Sequence, residues 1–143
     1  MADWYGTARS NYFRVKDEAA FRKEAESLGL EVMTSSSDSG LLFMVTPNAL
    51  DDKGGWPTWS PDESDAVGDP LEVDIVGSLS KHLCKDEIVI LMECGAEKLR
   101  YITGHATAFN SNGKRVDLDL GDIYQKAAKK FHVPVENITE AQY

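Results

Sequence analysis

Phe21, Ala25 and Leu28 recur at i, i+4 and i+7, a spacing that lays one apolar stripe along a helix. Asp17 stands just before the stripe, where a carboxylate suits an N-cap, and Glu18 falls in the first turn, where the helix dipole favours an anion. Gly29 follows as a stop signal. The pattern predicts a helix over 17–28. Before it, residues 9–15 (RSNYFRV) read as a strand with Phe13 and Val15 on one side and Tyr12 and Arg14 on the other. After it, 30–34 reads as a short strand and 35–40 (SSSDSG) as a polar loop. The run 41–46 (LLFMVT) is apolar without interruption until Pro47, so it predicts a central strand covered on both faces.

Val76, Leu79 and Leu83 share a helical face over 71–83, although Gly77 weakens that helix by about 1 kcal/mol relative to alanine. Residues 87–94 (EIVILMEC) carry the clearest strand signal, 95–98 a turn signal, and 99–109 a long second strand. The pair Asn112-Gly113 marks a hairpin, because Asn-Gly suits a type I′ turn. Val116, Leu118 and Leu120 alternate with polar residues, which predicts a strand with one wet face. In the last segment Ile123, Ala127 and Phe131 repeat at i, i+4 and i+8, with Asp119 or Asp122 as the cap. Lys126, Lys129 and Lys130 fall toward its C-terminal half, where the dipole favours cations, and Pro134 ends it.

The element order is β-α-β-β-α-β-β-β-α. Its first six elements follow the order of a split βαβ, ferredoxin-like unit. The expected fold is α+β: a two-layer sandwich with a mostly antiparallel sheet. A hairpin would extend the sheet at one edge, and a third helix would cover more of its face. At 143 residues the chain fits a single domain, with residues 47–70 as a long loop inside it.

Charge changes this picture more than size does. The net charge is −9. Between positions 51 and 74 stand eight acids (Asp51, Asp52, Asp62, Glu63, Asp65, Asp69, Glu72 and Asp74) and one base, Lys53, so this segment holds −7 and the remainder −2. Such a field repels phosphate and attracts basic surfaces, which disfavours direct nucleic-acid binding. No apolar run approaches the ~18 residues of a membrane span. The N-terminal MADWYGTARSNYF lacks a basic leader followed by an apolar stretch, which points to the cytoplasm. Cys84 and Cys94 form no CxxC pair and lie near apolar runs, so buried free thiols are expected.

Catalytic patterns are missing from the sequence. The histidines His82, His105 and His132 lie in three elements without metal-ligand spacing. A turn at 95–98 would set Cys94 opposite Leu99 and His105 opposite Ile88, roughly 20 Å apart at the usual strand rise, too far for a thiol–imidazole pair. Gly54-Gly55 lacks the flanking residues of a phosphate loop, and the acids of 51–74 lack calcium-loop spacing. No metal and no cofactor is expected.

Trp56 and Trp59 sit among those acids. Tryptophan is enriched at binding hot spots, and acids around it would select a basic partner and speed its capture. The expected function is therefore a non-enzymatic protein-interaction module or inhibitor. Its docking residues would be Trp56, Trp59, Asp51, Asp52, Asp62, Glu63, Asp65 and Asp69, set against a basic surface such as the nucleic-acid groove of another protein. The alternative is a small enzyme or ligand-binding protein with a pocket between sheet and helices lined by Tyr12, Arg14, Tyr101 and His105. A homodimer through an exposed sheet edge is a third reading. In size, acidity and lack of catalytic motifs the chain resembles small accessory proteins of phages and plasmids, some of which inhibit host restriction or CRISPR systems. That resemblance is one of composition and implies no particular site residue.

Overall fold

The computed structural model describes residues 4–46, 56, 74–97 and 101–141. Within them the chain forms strands β1 (Trp4–Ser10), β2 (Glu31–Thr34), β3 (Leu42–Val45), β4 (Ile88–Glu97), β5 (Tyr101–Asn110) and β6 (Arg115–Asp119), and helices α1 (Glu18–Ser27), α2 (Ile75–Leu79) and α3 (Asp122–Phe131). The architecture is α+β: one six-stranded antiparallel sheet in the order β2-β3-β1-β4-β5-β6. Among the described residues no helix is long and apolar enough to cross a membrane.

Helix α1 forms where its stripe and caps predict. Asp17 accepts a hydrogen bond from the Ala20 amide at 3.2 Å, Gly29 takes a positive φ of 84° just beyond the end, and Phe21 and Ala25 are buried. Arg22 ties the helix to the outermost strand: it donates to the Val32 carbonyl and to Thr34 Oγ1, each at 2.8 Å. Phe21 meets Phe13 edge to face at 5.5 Å. Around this pair Leu42, Met44, Leu79, Leu83, Val89 and Phe109 close the core.

Several expectations need correction. The first strand lies over 4–10, with 11–15 leaving the ladder. Ser10 Oγ, buried, accepts the Met44 amide at 2.7 Å, and Asn11 takes over strand pairing with its side chain, accepting from Ile90 N and donating to the Ile88 carbonyl. Phe13 and Val15 then make single bridges to Leu42 and Leu83. Polar side chains thus replace backbone partners, and the chain bends toward α1. Strand β3 is not covered on both faces: Leu42 and Met44 are buried, whereas Phe43 and Val45 are only half-buried. Helix α2 is short, capped by Asp74 through the Gly77 amide at 2.9 Å, and a 3₁₀ turn over Ser80–His82 continues it; positions 71–73 of the expected helix lie outside the described residues.

Residues 95–97 are strand, not turn. Gly95 and Ala96 pair with Gly6 and Tyr5 on one side and with Thr103 and Ile102 on the other. The β5–β6 connection is also not a type I′ turn. Only Gly113 of its residues takes a positive φ, 80°, and Asn110 Oδ1 accepts from both Asn112 and Lys114 amides. That is the three-residue loop with a glycine bulge. Finally, Val116, Leu118 and Leu120 do not face the core, and α3 covers no sheet face: it buries none of its residues.

Candidate functional site: the two faces of strands β4, β5 and β6

Side chains alternate across a strand, so the register sorts the outer half of the sheet into two surfaces. On the side carrying α1 and α2, one cross-strand row runs Ser10, Leu91, Thr107, Asp117, and the next runs Ala8, Glu93, His105, Asp119. Both rows begin buried at β1 and end exposed at β6. Glu93, Thr103, Gly104, His105 and Asp119 line an open cleft of about 500 Å³ there.

His105 is held at both ring nitrogens. Nδ1 lies 3.2 Å from Asp119 Oδ1, and Nε2 lies 3.1 Å from Thr107 Oγ1 and 3.4 Å from Asp117 Oδ1. Thr107 donates its single hydroxyl proton to Asp117 at 2.6 Å, so toward His105 it can only accept. Arg115 grips the same carboxylate with two bonds of 3.0 and 2.8 Å. The Arg115 hydrogen bond, then that of Thr107, holds the Asp117 carboxyl well below the usual carboxylate range. Asp117 in turn raises the pKa of Arg115. The arrangement orients an imidazole between two carboxylates at the rim of a cleft, a geometry suited to binding a cationic or hydrogen-bond-donating group. Among the described residues no group of three or more His, Cys, Asp and Glu side chains could hold a metal ion.

The opposite surface is apolar. Its rows run Arg9, Met92, Ala106, Leu118 and Thr7, Cys94, Gly104, and Leu120 packs over the bare Gly104 Cα, its amide donating to the Gly104 carbonyl at 2.8 Å. These residues line a shallow groove of about 320 Å³. Met92, Ile102, Val116, Leu118 and Leu120 are each half or more exposed. Beyond Leu120 the chain enters α3 at Gly121, and there Ile123 and Phe131 are 57% and 69% exposed. No described element covers this face, and α3 buries none of its own residues.

Three of the residues expected to share a pocket, Tyr12, Arg14 and His105, are not brought together. Tyr12 meets Phe43 edge to face with ring centroids 5.3 Å apart and accepts from Arg9 at 2.8 Å, while the Arg9 guanidinium lies 4.2 Å above the Phe43 ring. Arg14 forms an exposed ion pair with Asp38 at 2.6 Å, which raises the Arg14 pKa and lowers that of Asp38. His105 lies two strands from β1, and the side chain of Tyr101 lies outside the described residues. Of Tyr12, Arg14 and His105, His105 alone lines the cleft. Cys94 is exposed on the apolar face and Cys84 is half-buried, against the expectation of two buried thiols.

Trp56 is half-buried and packs against the core. Its amide donates to Glu93 Oε2 at 2.9 Å, and its Nε1 is buried without a partner among the described residues. Its ring is thus not the freely exposed anchor expected of it. Trp59, Asp51, Asp52, Asp62, Glu63, Asp65 and Asp69 lie outside the described residues. Sequence reasoning missed Glu93, Asp117 and Asp119. For Asp117 and Asp119 the signal was the alternation of Arg115, Asp117 and Asp119 with Val116, Leu118 and Leu120, which sorts charge to one face of β6 and apolar groups to the other. Comparison with family models, with curated proteins and with solved structures gave no match.

Proposed function

We propose that this protein works by binding another protein and not by transforming a substrate. The observation that carries the reading is the apolar face of β4, β5 and β6, which continues into the uncovered stripe of α3. Exposed contiguous apolar surface is costly in water, and large patches of it mark interaction sites. The acids at 51–74 fit the same reading: −7 over that segment favours a partner whose contact surface is apolar and edged by positive charge. A basic groove of a nucleic-acid-handling protein has that character. In this reading Trp56 anchors the acidic segment to Glu93, and Trp59 with the neighbouring carboxylates meets the partner.

The scaffold belongs to the same proposal. We read β2-β3-β1-β4 with α1 and α2 as a ferredoxin-like unit, extended past β4 by β5 and β6; the observed strand order supports this. The helices pack on one face of the sheet, and the apolar surface of β4, β5 and β6 is the other.

The test is capture of a partner by wild type, Leu118→Glu and Trp56→Ala/Trp59→Ala proteins. Wild type is expected to retain a basic protein at low salt and to release it as salt shortens the screening length toward about 8–10 Å. Leu118→Glu should lose it. Equal recovery by all three would end the proposal. A second reading, a small-ligand site, is favoured by the convergence of Glu93, His105 and Asp119 on one cleft. It would be supported by a cationic ligand that perturbs the His105 ring resonances and fails to do so in Asp119→Asn.

A further inference from the structure

We infer that the apolar face of β4, β5 and β6 receives α3 from a second copy of this chain, in a reciprocal dimer. The inference rests on the binding reading above and names the partner. Three observations lead to it.

First, the molecule carries two unsatisfied surfaces of matching kind. The groove around Met92, Ala106 and Leu118 is a concave apolar strip on a sheet. The stripe of Ile123, Ala127 and Phe131 is a convex apolar ridge on a helix. A helix stripe and an open sheet face are the usual partners in a two-layer domain, yet here α3 leaves its own sheet uncovered.

Second, charge fits. Helix α3 holds Lys126, Lys129 and Lys130 against Asp122, a net +2, so the rest of the chain holds −11. The helix is therefore the chain's own apolar surface edged by positive charge, the character inferred for the partner. Exchange between copies sets each basic helix against an acidic body. An anionic membrane would meet the same helix but would repel the −11 that travels with it.

Third, the area suffices. The five half-exposed side chains on the sheet and the two on α3 each present about 100 Å², giving roughly 700 Å² of apolar surface, close to the ~800 Å² that each partner buries in a stable interface. A twofold exchange uses both surfaces on both copies and closes, which leaves no free end for further addition.

The experiment is mass measurement by light scattering across a dilution series, with a disulfide trap beside it. Wild type is expected at twice 15.8 kDa, dissociating on dilution. Phe131→Glu and Leu118→Glu should each run as monomers with an unchanged circular dichroism spectrum, since both positions are exposed. In the Cys84→Ala/Ala127→Cys protein, oxidation should join the thiol introduced on α3 of one copy to Cys94 of the other as a covalent dimer. A wild-type monomer at every concentration overturns the inference, as does a dimer that both glutamate variants leave intact. A monomer that binds anionic phosphatidylserine vesicles through α3 also overturns it. If wild type is monomeric but a different protein is captured and then lost in Leu118→Glu, this inference fails while the binding reading stands.

Discussion

His105 pairs in register with Glu93, one residue from Cys94, yet its side chain leaves the opposite face of the sheet from that thiol. Alternation along β4 separates the two more firmly than distance would. Cys94 shares the face of Met92 and Ala106, whereas both His105 ring nitrogens are engaged by Thr107, Asp117 and Asp119 on the other face.

The first prediction follows from that separation. An adjacent imidazole speeds a cysteine by favouring the thiolate, and here it lies behind the sheet. In Cys84→Ala protein, alkylation of Cys94 by iodoacetamide should proceed at the same rate, within about twofold, whether position 105 is His or Gln. A tenfold fall in His105→Gln would place the two groups in contact and contradict the register.

The second prediction concerns acid. Asp117 is held ionised by Arg115 and Thr107, so its carboxyl titrates lower in the folded protein than in the unfolded chain. The stability this contributes is complete above the ordinary carboxylate range near pH 4 and is lost as pH falls toward the lower folded value. Urea midpoints of wild type and Asp117→Asn should therefore differ most at about pH 7 and converge below about pH 4. High salt should narrow the gap as well, since the pair is partly exposed. A gap that stays constant with pH would show that the variant removes shape and not charge.

Local chemistry made some of this fold legible and left the rest hidden. Helix α1 could be read because stripe, N-cap and stop lie within one short segment and agree. The β4–β5 register could not. Gly95-Ala96 carries a turn signal, but β1 pairs with both residues from the other side, and two neighbours in a sheet outweigh a local preference. The β6 alternation was legible as a one-sided strand, whereas its direction was not: which residues turn toward α1 and α2 depends on the pairing with β5. The same limit applies to α3, whose periodicity reveals an apolar stripe and says nothing of what meets it. At the site, His105 could be picked out by type. Its neighbours Asp117 and Asp119 depend on a register set by the Gly113 bulge.

The third prediction contrasts two phenylalanines that look alike in sequence. Phe21 and Phe131 each belong to an i, i+4 stripe, but Phe21 is fully buried and Phe131 is 69% exposed. Truncating Phe21 to alanine should cost about 3–5 kcal/mol in urea denaturation, from lost burial and the cavity left beside Phe13. Phe131→Ala should stay within about 0.5 kcal/mol when measured at a dilution where single chains prevail. A large loss there would mean that α3 packs on its own core.

The last prediction concerns how the acidic segment is fastened. Glu93 stands in the row between Ala8 and His105, and its Oε2 accepts the Trp56 amide at 2.9 Å while the indole lies against the core. A backbone amide held by a carboxylate is a charge-assisted bond, stronger than its neutral counterpart. Removing the acceptor leaves a part-buried donor without a partner, which costs about 1–3 kcal/mol. Glu93→Ala should lower stability by that amount, and Glu93→Gln by less, since the amide oxygen can still accept. Trp56→Ala should lower stability too, through the indole contacts. The two changes should combine to less than their sum, because both loosen the same attachment. Full additivity in the Glu93→Ala/Trp56→Ala double variant would mean that strand β4 does not hold Trp56 in place.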